Sequence, residues 1–100
     1  MKRFAQHAWS VVVFASVFAC AADASAQSES AGVAQYFTNC ASCHESTDPG
    51  HQAPKTAVLK QMTPERILEI MTTGSMRTIA AGLSDPDKRL IAEWVGGRKI

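Results

Sequence analysis

Apolar positions along this chain recur at three- and four-residue spacing and never alternate with period two over the length of a strand. Val33, Tyr36, Phe37 and Cys40 share one helical face, and Ser30 stands where an N-cap belongs, which predicts a first helix from Ser30 into Cys40. A polar stretch from Glu45 to Pro54 follows, with Pro49-Gly50 marking a turn. Thr63-Pro64-Glu65 then places proline at the first helical position behind a threonine cap, predicting a helix over 64–73 that Gly74 stops. Ile67, Leu68 and Met71 form its inward stripe, with Glu65, Arg66 and Glu69 on the solvated face. Ser84-Asp85-Pro86 repeats the same start, and Leu90, Ile91, Trp94 and Val95 carry a third helix to Gly96-Gly97. With one or two extra turns between Thr56 and Gln61, the expectation is an all-α fold of three to five helices.

The N-terminal pattern is of a different kind. Lys2 and Arg3 precede an apolar stretch from Ala8 to Cys20, and Ala24-Ser25-Ala26 satisfies the small-x-small rule for cleavage. Residues 1–26 therefore read as a cleaved secretory signal, with the mature domain at 27–100 and a periplasmic destination. Two readings compete. The uncharged run from Phe4 to Ala22 approaches the ~20 apolar residues of a membrane anchor, but Gln6, His7 and two serines interrupt it. Cys20 is also a candidate for lipid attachment, although the bulky Phe18 sits where such signals carry a small residue.

Cys40-Ala41-Ser42-Cys43-His44 carries the chemistry. Two thiols separated by two residues and followed at once by an imidazole form the attachment signature of a c-type haem. Each cysteine adds across one haem vinyl group to give a thioether, and His44 supplies an axial nitrogen to the iron. A redox dithiol would call for a βαβ pattern that this chain lacks. A structural zinc site would need about four ligands, and beyond His44 the mature segment offers only His51 as a further Cys or His donor. With Cys20 in the signal, Cys40 and Cys43 account for every thiol of the mature chain.

Size and charge narrow the picture. The 74 residues left after cleavage make one small domain, and apolar cores below roughly 80 residues usually need a staple. Haem is that staple: several hundred Å² of buried porphyrin at ~25 cal/mol per Å² contributes on the order of 10 kcal/mol. The mature segment carries eight basic and eight acidic residues and is formally neutral, with no basic cluster for nucleic acid and no remaining membrane span. For the sixth iron position the residues leave Met62, Met71, Met76 and His51 as candidates. A thioether would raise the potential relative to a second imidazole.

The chain resembles the small class I cytochromes c. Gly32 stands eight residues and Tyr36 four residues before Cys40, matching that family's Gly-x-x-x-aromatic first helix, and Trp94 matches the aromatic residue of its last helix. The resemblance implies that glycine allows the last helix to cross closely, that the aromatic ring packs upon it, and that Met76 is the distal ligand opposite His44. It also implies that Pro54 accepts a hydrogen bond from His44 through its carbonyl, with Pro49 as the competing assignment. Gln52, Arg77 and Trp94 come within reach of haem propionates in such folds. Within the family the chain is similar to the cytochrome domains of quinohaemoprotein alcohol and polyvinyl alcohol dehydrogenases, through Ala53-Pro54, Met62-Thr63-Pro64-Glu65-Arg66-Ile67 and Thr73-Gly74-Ser75-Met76. Unlike those enzymes it reaches Ile100 without propeller repeats, which points to an electron carrier rather than an enzyme.

The expected function is one-electron shuttling by a covalently bound haem c, as a monomer or in transient complexes with redox partner proteins. A periplasmic quinoprotein dehydrogenase is the partner class the resemblance suggests, with a terminal oxidase as the other candidate partner. The alternative is a gas sensor or weak peroxidase with an open or labile sixth site.

Overall fold

The computed structural model describes residues 12–13 and 24–100, and the described segments contain helices and no strand. In chain order they are α1 (Ala24–Asn39), α2 (Ala41–His44), α3 (Thr56–Leu59), α4 (Pro64–Thr72) and α5 (Asp85–Gly96), with a 3₁₀ turn at Ile79–Gly82 before α5. The predicted signal falls mainly on residues outside those described. Its predicted cut, between Ala26 and Gln27, falls within the first turn of α1.

Local chemistry explains most of the boundaries. The Thr63 side chain accepts from the Arg66 amide at 3.2 Å and the Ser84 side chain from the Asp87 amide at 3.2 Å, so both expected caps are in place ahead of their prolines. At the far end of α5, Gly97 adopts φ +79°, a left-handed stop that favours glycine. Ser30 does not cap: α1 already runs from Ala24, and Ser30 lies inside it. The reason is the composition of residues 24–30, which lack a helix breaker and include two alanines and a glutamine of good helix propensity. The first helix also stops one residue early. Cys40 forms a turn, and a separate single turn, α2, carries the rest of the motif.

The core gathers Tyr36 from α1, Ile67 and Met71 from α4, Ala80 from the 3₁₀ turn, and Ile91, Ala92 and Val95 from α5. α5 is the central element, packed against both α1 and α4. Where α1 crosses α5, the position a Cβ would take at Gly32 lies 2.6 Å from the Leu90 carbonyl oxygen and 2.8 Å from the Trp94 Cβ. Only hydrogen fits there. This close crossing brings Tyr36 onto Trp94, with ring centroids 5.0 Å apart, within the favourable range for aromatic pairs.

The C-terminal residues tie back across the bundle. Arg98 forks onto the Glu65 carboxylate at 2.7 and 2.9 Å. Lys99 bonds Ser28 of α1 and pairs with Glu93 at 3.4 Å, and the Ile100 amide donates to Glu93 at 3.0 Å.

Candidate functional site

The elements that meet on α5 leave an open apolar cleft between them. The end of α1 contributes Tyr36 and Asn39, the turn after it Cys40, α2 contributes His44, and α4 contributes Ile67, Ile70 and Met71. Leu59 and Met62 come from α3 and the stretch after it, while Met76, Ile79, Ala80 and Leu83 come from the stretch between α4 and α5. The lining is almost wholly apolar, so the donor atoms within it stand out chemically.

Cys40 and His44 are brought to the cleft by a run of turn bonds. The Cys40 amide donates to the Tyr36 carbonyl at 2.8 Å, and the His44 amide donates back to the Cys40 carbonyl at 3.1 Å. Burial pushes the Cys40 thiol above its ordinary pKa, and the neighbouring Cys43 adds to the shift, so the thiol is held protonated. Cys43 is half-buried on the same turn.

His44 is 6% exposed, and its Nδ1 donates to the Pro54 carbonyl at 2.6 Å. That bond occupies one ring nitrogen, fixes the ring plane and leaves Nε2 as the available lone pair. Pro54, and not Pro49, therefore accepts from His44. The segment that carries the acceptor is pinned in turn. Tyr36, 1% exposed, shares a hydrogen bond of 2.6 Å between its hydroxyl and Thr56 Oγ1, two residues beyond Pro54. Burial, first of all, raises the Tyr36 pKa, against the opposing effect of the Thr56 bond, so the phenol stays neutral.

Met62, Met71 and Met76 all line the cleft. His51 is exposed and is not among the lining residues, and neither are Gln52, Arg77 and Trp94. Met71 is buried at 6% exposure within the core cluster, whereas Met62 and Met76 are half-buried against it. Met76 lies in the irregular stretch after α4, where its amide donates to the Ile70 carbonyl at 3.1 Å.

Asn39, Ile79, Ala80, Leu83 and Thr56 were not singled out from the sequence. Ile79, Ala80 and Leu83 belong to a stretch too short for a periodic signal. Nothing local marks Thr56, whose partner is twenty residues away.

An apolar cleft whose donors are thiol, thioether and an imidazole with one nitrogen already engaged suits a flat apolar group carrying iron, and suits no hard cation. Among the described residues there is no cluster of three or more His, Cys, Asp or Glu that could hold a bare metal ion. The helical fold and this donor set define a cytochrome c domain, with a covalently bound haem c as its cofactor and electron transfer as its chemistry. The chain belongs to the cytochrome c family described as cytochrome c oxidase, cbb3-type, subunit III, whose profile matches residues 27–95. Over 67 residues it is 36% identical to a polyvinylalcohol dehydrogenase of Pseudomonas sp. That match takes in 67% of this chain and 10% of the dehydrogenase, so the chain spans about a tenth of the relative's length. No solved structure matches the chain. No described helix is long and apolar enough to cross a membrane.

Proposed function

We propose that this protein is a periplasmic one-electron carrier, exported by a signal comprising residues 1–26, in which Cys40 and Cys43 hold haem c as thioethers and His44 and Met76 are the axial ligands. The observation that carries the reading is that His44, its Nδ1 engaged by Pro54, lines one apolar cleft together with Cys40 and Met76.

When bound, haem c supplies a one-electron ferric–ferrous couple. The chain's residues supply its surroundings. Tyr36, Ile67, Ile91 and Val95 give the cleft a buried, largely apolar wall. The Pro54 carbonyl holds the His44 ring and raises the basicity of its free nitrogen. Met76 is favoured over Met71 because Met71 lies on the inward stripe of α4 among core side chains, where a flexible thioether serves as filler. A packed lining and two ligands held by the chain would keep the surroundings of the group alike in its two oxidation states, so little reorganisation would oppose transfer.

The likeness to a polyvinylalcohol dehydrogenase supports a periplasmic dehydrogenase, of the quinoprotein class the resemblance implies, as electron donor, with a terminal oxidase as acceptor. Reduction of the purified holoprotein by such a dehydrogenase, and their co-purification, are the expected results. A lone monomer that no such enzyme reduces would refute the donor assignment.

The ligand set is tested by oxidised and reduced absorption spectra of protein made with haem-attachment machinery, alongside Met76→Leu and Met71→Leu. The parent is expected to be low-spin with the weak far-red band of methionine ligation, lost in Met76→Leu and kept in Met71→Leu. A high-spin parent would point instead to gas sensing or peroxidase chemistry. A band unchanged in Met76→Leu would move the assignment to another donor.

A further inference from the structure

The hydrogen bond between Tyr36 and Thr56 lies in none of the cleft's donor atoms, yet it is the buried polar contact that joins α1 to α3. We infer that Tyr36 and Thr56 are positioning residues for His44, setting its basicity, and hence the reduction potential, by fixing the Pro54 carbonyl that its ring donates to. The inference rests on the reading of His44 as the proximal ligand.

The argument follows the chain from His44 to Thr56. After α2, the connection turns at Asp48–His51, closed by the His51 amide onto the Asp48 carbonyl at 3.0 Å and by the Gly50 amide onto the Asp48 side chain at 2.9 Å. His51, Gln52, Pro54 and Lys55 are exposed, so apolar burial does little to locate the Pro54 peptide. It is instead held from two sides. On one side is the His44 ring at 2.6 Å. On the other is α3, whose Val58 and Leu59 amides donate to the Lys55 carbonyl at 2.9 and 3.2 Å.

α3 is a single turn of four residues whose N-cap, Lys55, makes no side-chain capping bond. A helix so short has no stability of its own. Leu59 packs on the core and Lys60 sits over the Trp94 ring, 3.9 Å from its centroid, but the end of α3 next to Pro54 is held by Thr56, buried at 7% exposure, through its 2.6 Å bond to the Tyr36 hydroxyl. Tyr36 is in turn immobilised by Trp94, 5.0 Å away between centroids, at the close α1–α5 crossing. A rigid path thus runs from the helix crossing through Tyr36, Thr56 and Pro54 to the His44 Nδ1–H. A strong bond from that N–H makes the opposite nitrogen more basic, which favours ferric iron. Slackening the path weakens the bond and raises the potential.

The test uses the haem-loaded protein with Tyr36→Phe, Thr56→Val and Thr56→Ser. Each removes or keeps the hydroxyl with little change of shape. The readouts are the reduction potential and the solvent-exchange rate of the His44 ring N–H by proton NMR. A parent spectrum without histidine ligation would sink the underlying ligand reading and not the path itself, so the two failures are separable.

Tyr36→Phe and Thr56→Val are expected to shift the ferric–ferrous equilibrium toward ferrous by about threefold to tenfold, or about 28–59 mV at 59 mV per tenfold for one electron, and to speed N–H exchange. Combining them should add little, because both break one bond. Thr56→Ser should restore the parent values. Arg66→Ala, which breaks a surface pair with Glu69, serves as a control that leaves potential and exchange unmoved. Potentials and exchange rates equal to the parent in Thr56→Val would overturn the inference, even if Tyr36→Phe failed to take up haem.

Discussion

Replacing Gly32 by alanine tests the helix crossing on which the cleft depends. The added methyl would arrive 2.6 Å from the Leu90 carbonyl oxygen and 2.8 Å from the Trp94 Cβ. Neither neighbour is the free end of a flexible side chain, so relief requires α1 and α5 to separate. Overpacking of this kind costs about 1–3 kcal/mol, while alanine regains about 0.5–1 kcal/mol of helix propensity over glycine. The expected balance is a destabilisation of about 1–2 kcal/mol, read from guanidinium unfolding of the holoprotein followed by far-UV circular dichroism. Gly82→Ala is the matched control, because a Cβ at Gly82 meets nothing within 4 Å. It should be neutral or stabilising by up to about 1 kcal/mol through the unfolded chain. A Gly32→Ala protein as stable as the Gly82→Ala one would refute the claim that the crossing admits only hydrogen.

Other outcomes follow from single contacts. Thr63→Ala removes the acceptor for the Arg66 amide and is expected to cost about 1 kcal/mol, measured by the same unfolding assay, with Thr63→Ser retaining most of it. Glu93 resists burial, which raises its pKa, because the Ile100 amide, Arg89 and Lys99 all stabilise the carboxylate and the net shift is downward from 4.5. A carboxyl lowered on folding stabilises fully above its unfolded value and loses that contribution as the pH falls through the folded value. Thermal melts of the parent should therefore lose stability below about pH 4.5 more steeply than those of Glu93→Gln, and equal slopes would refute the network's role.

Much of the architecture was legible because its causes are local. The Thr63-Pro64 and Ser84-Asp85-Pro86 starts and the Gly97 stop are chemistry within one helical turn, and the structure places α4 and α5 accordingly. Gly32, Tyr36 and Trp94 meet as the resemblance implied. Ser30 misled because a good capping residue is also tolerated within a helix, and the uninterrupted run from Ala24 outweighed it. The 3₁₀ turn at Ile79–Gly82 escaped notice since four residues are too few for a periodic signal.

What the sequence determined by itself was the chemistry of attachment: Cys40, Cys43 and His44 are neighbours along one turn, so their spacing alone specifies which group they suit. Tertiary structure decided which distant residues share the cleft. It brought the three candidate methionines, Met62, Met71 and Met76, to one lining and left His51 outside, chose Pro54 over Pro49 as the acceptor for His44, and joined Tyr36 to Thr56 across twenty residues. The physical reason is range: capping and motif spacing act within a few residues, whereas these choices depend on how segments far apart in the chain pack against one another.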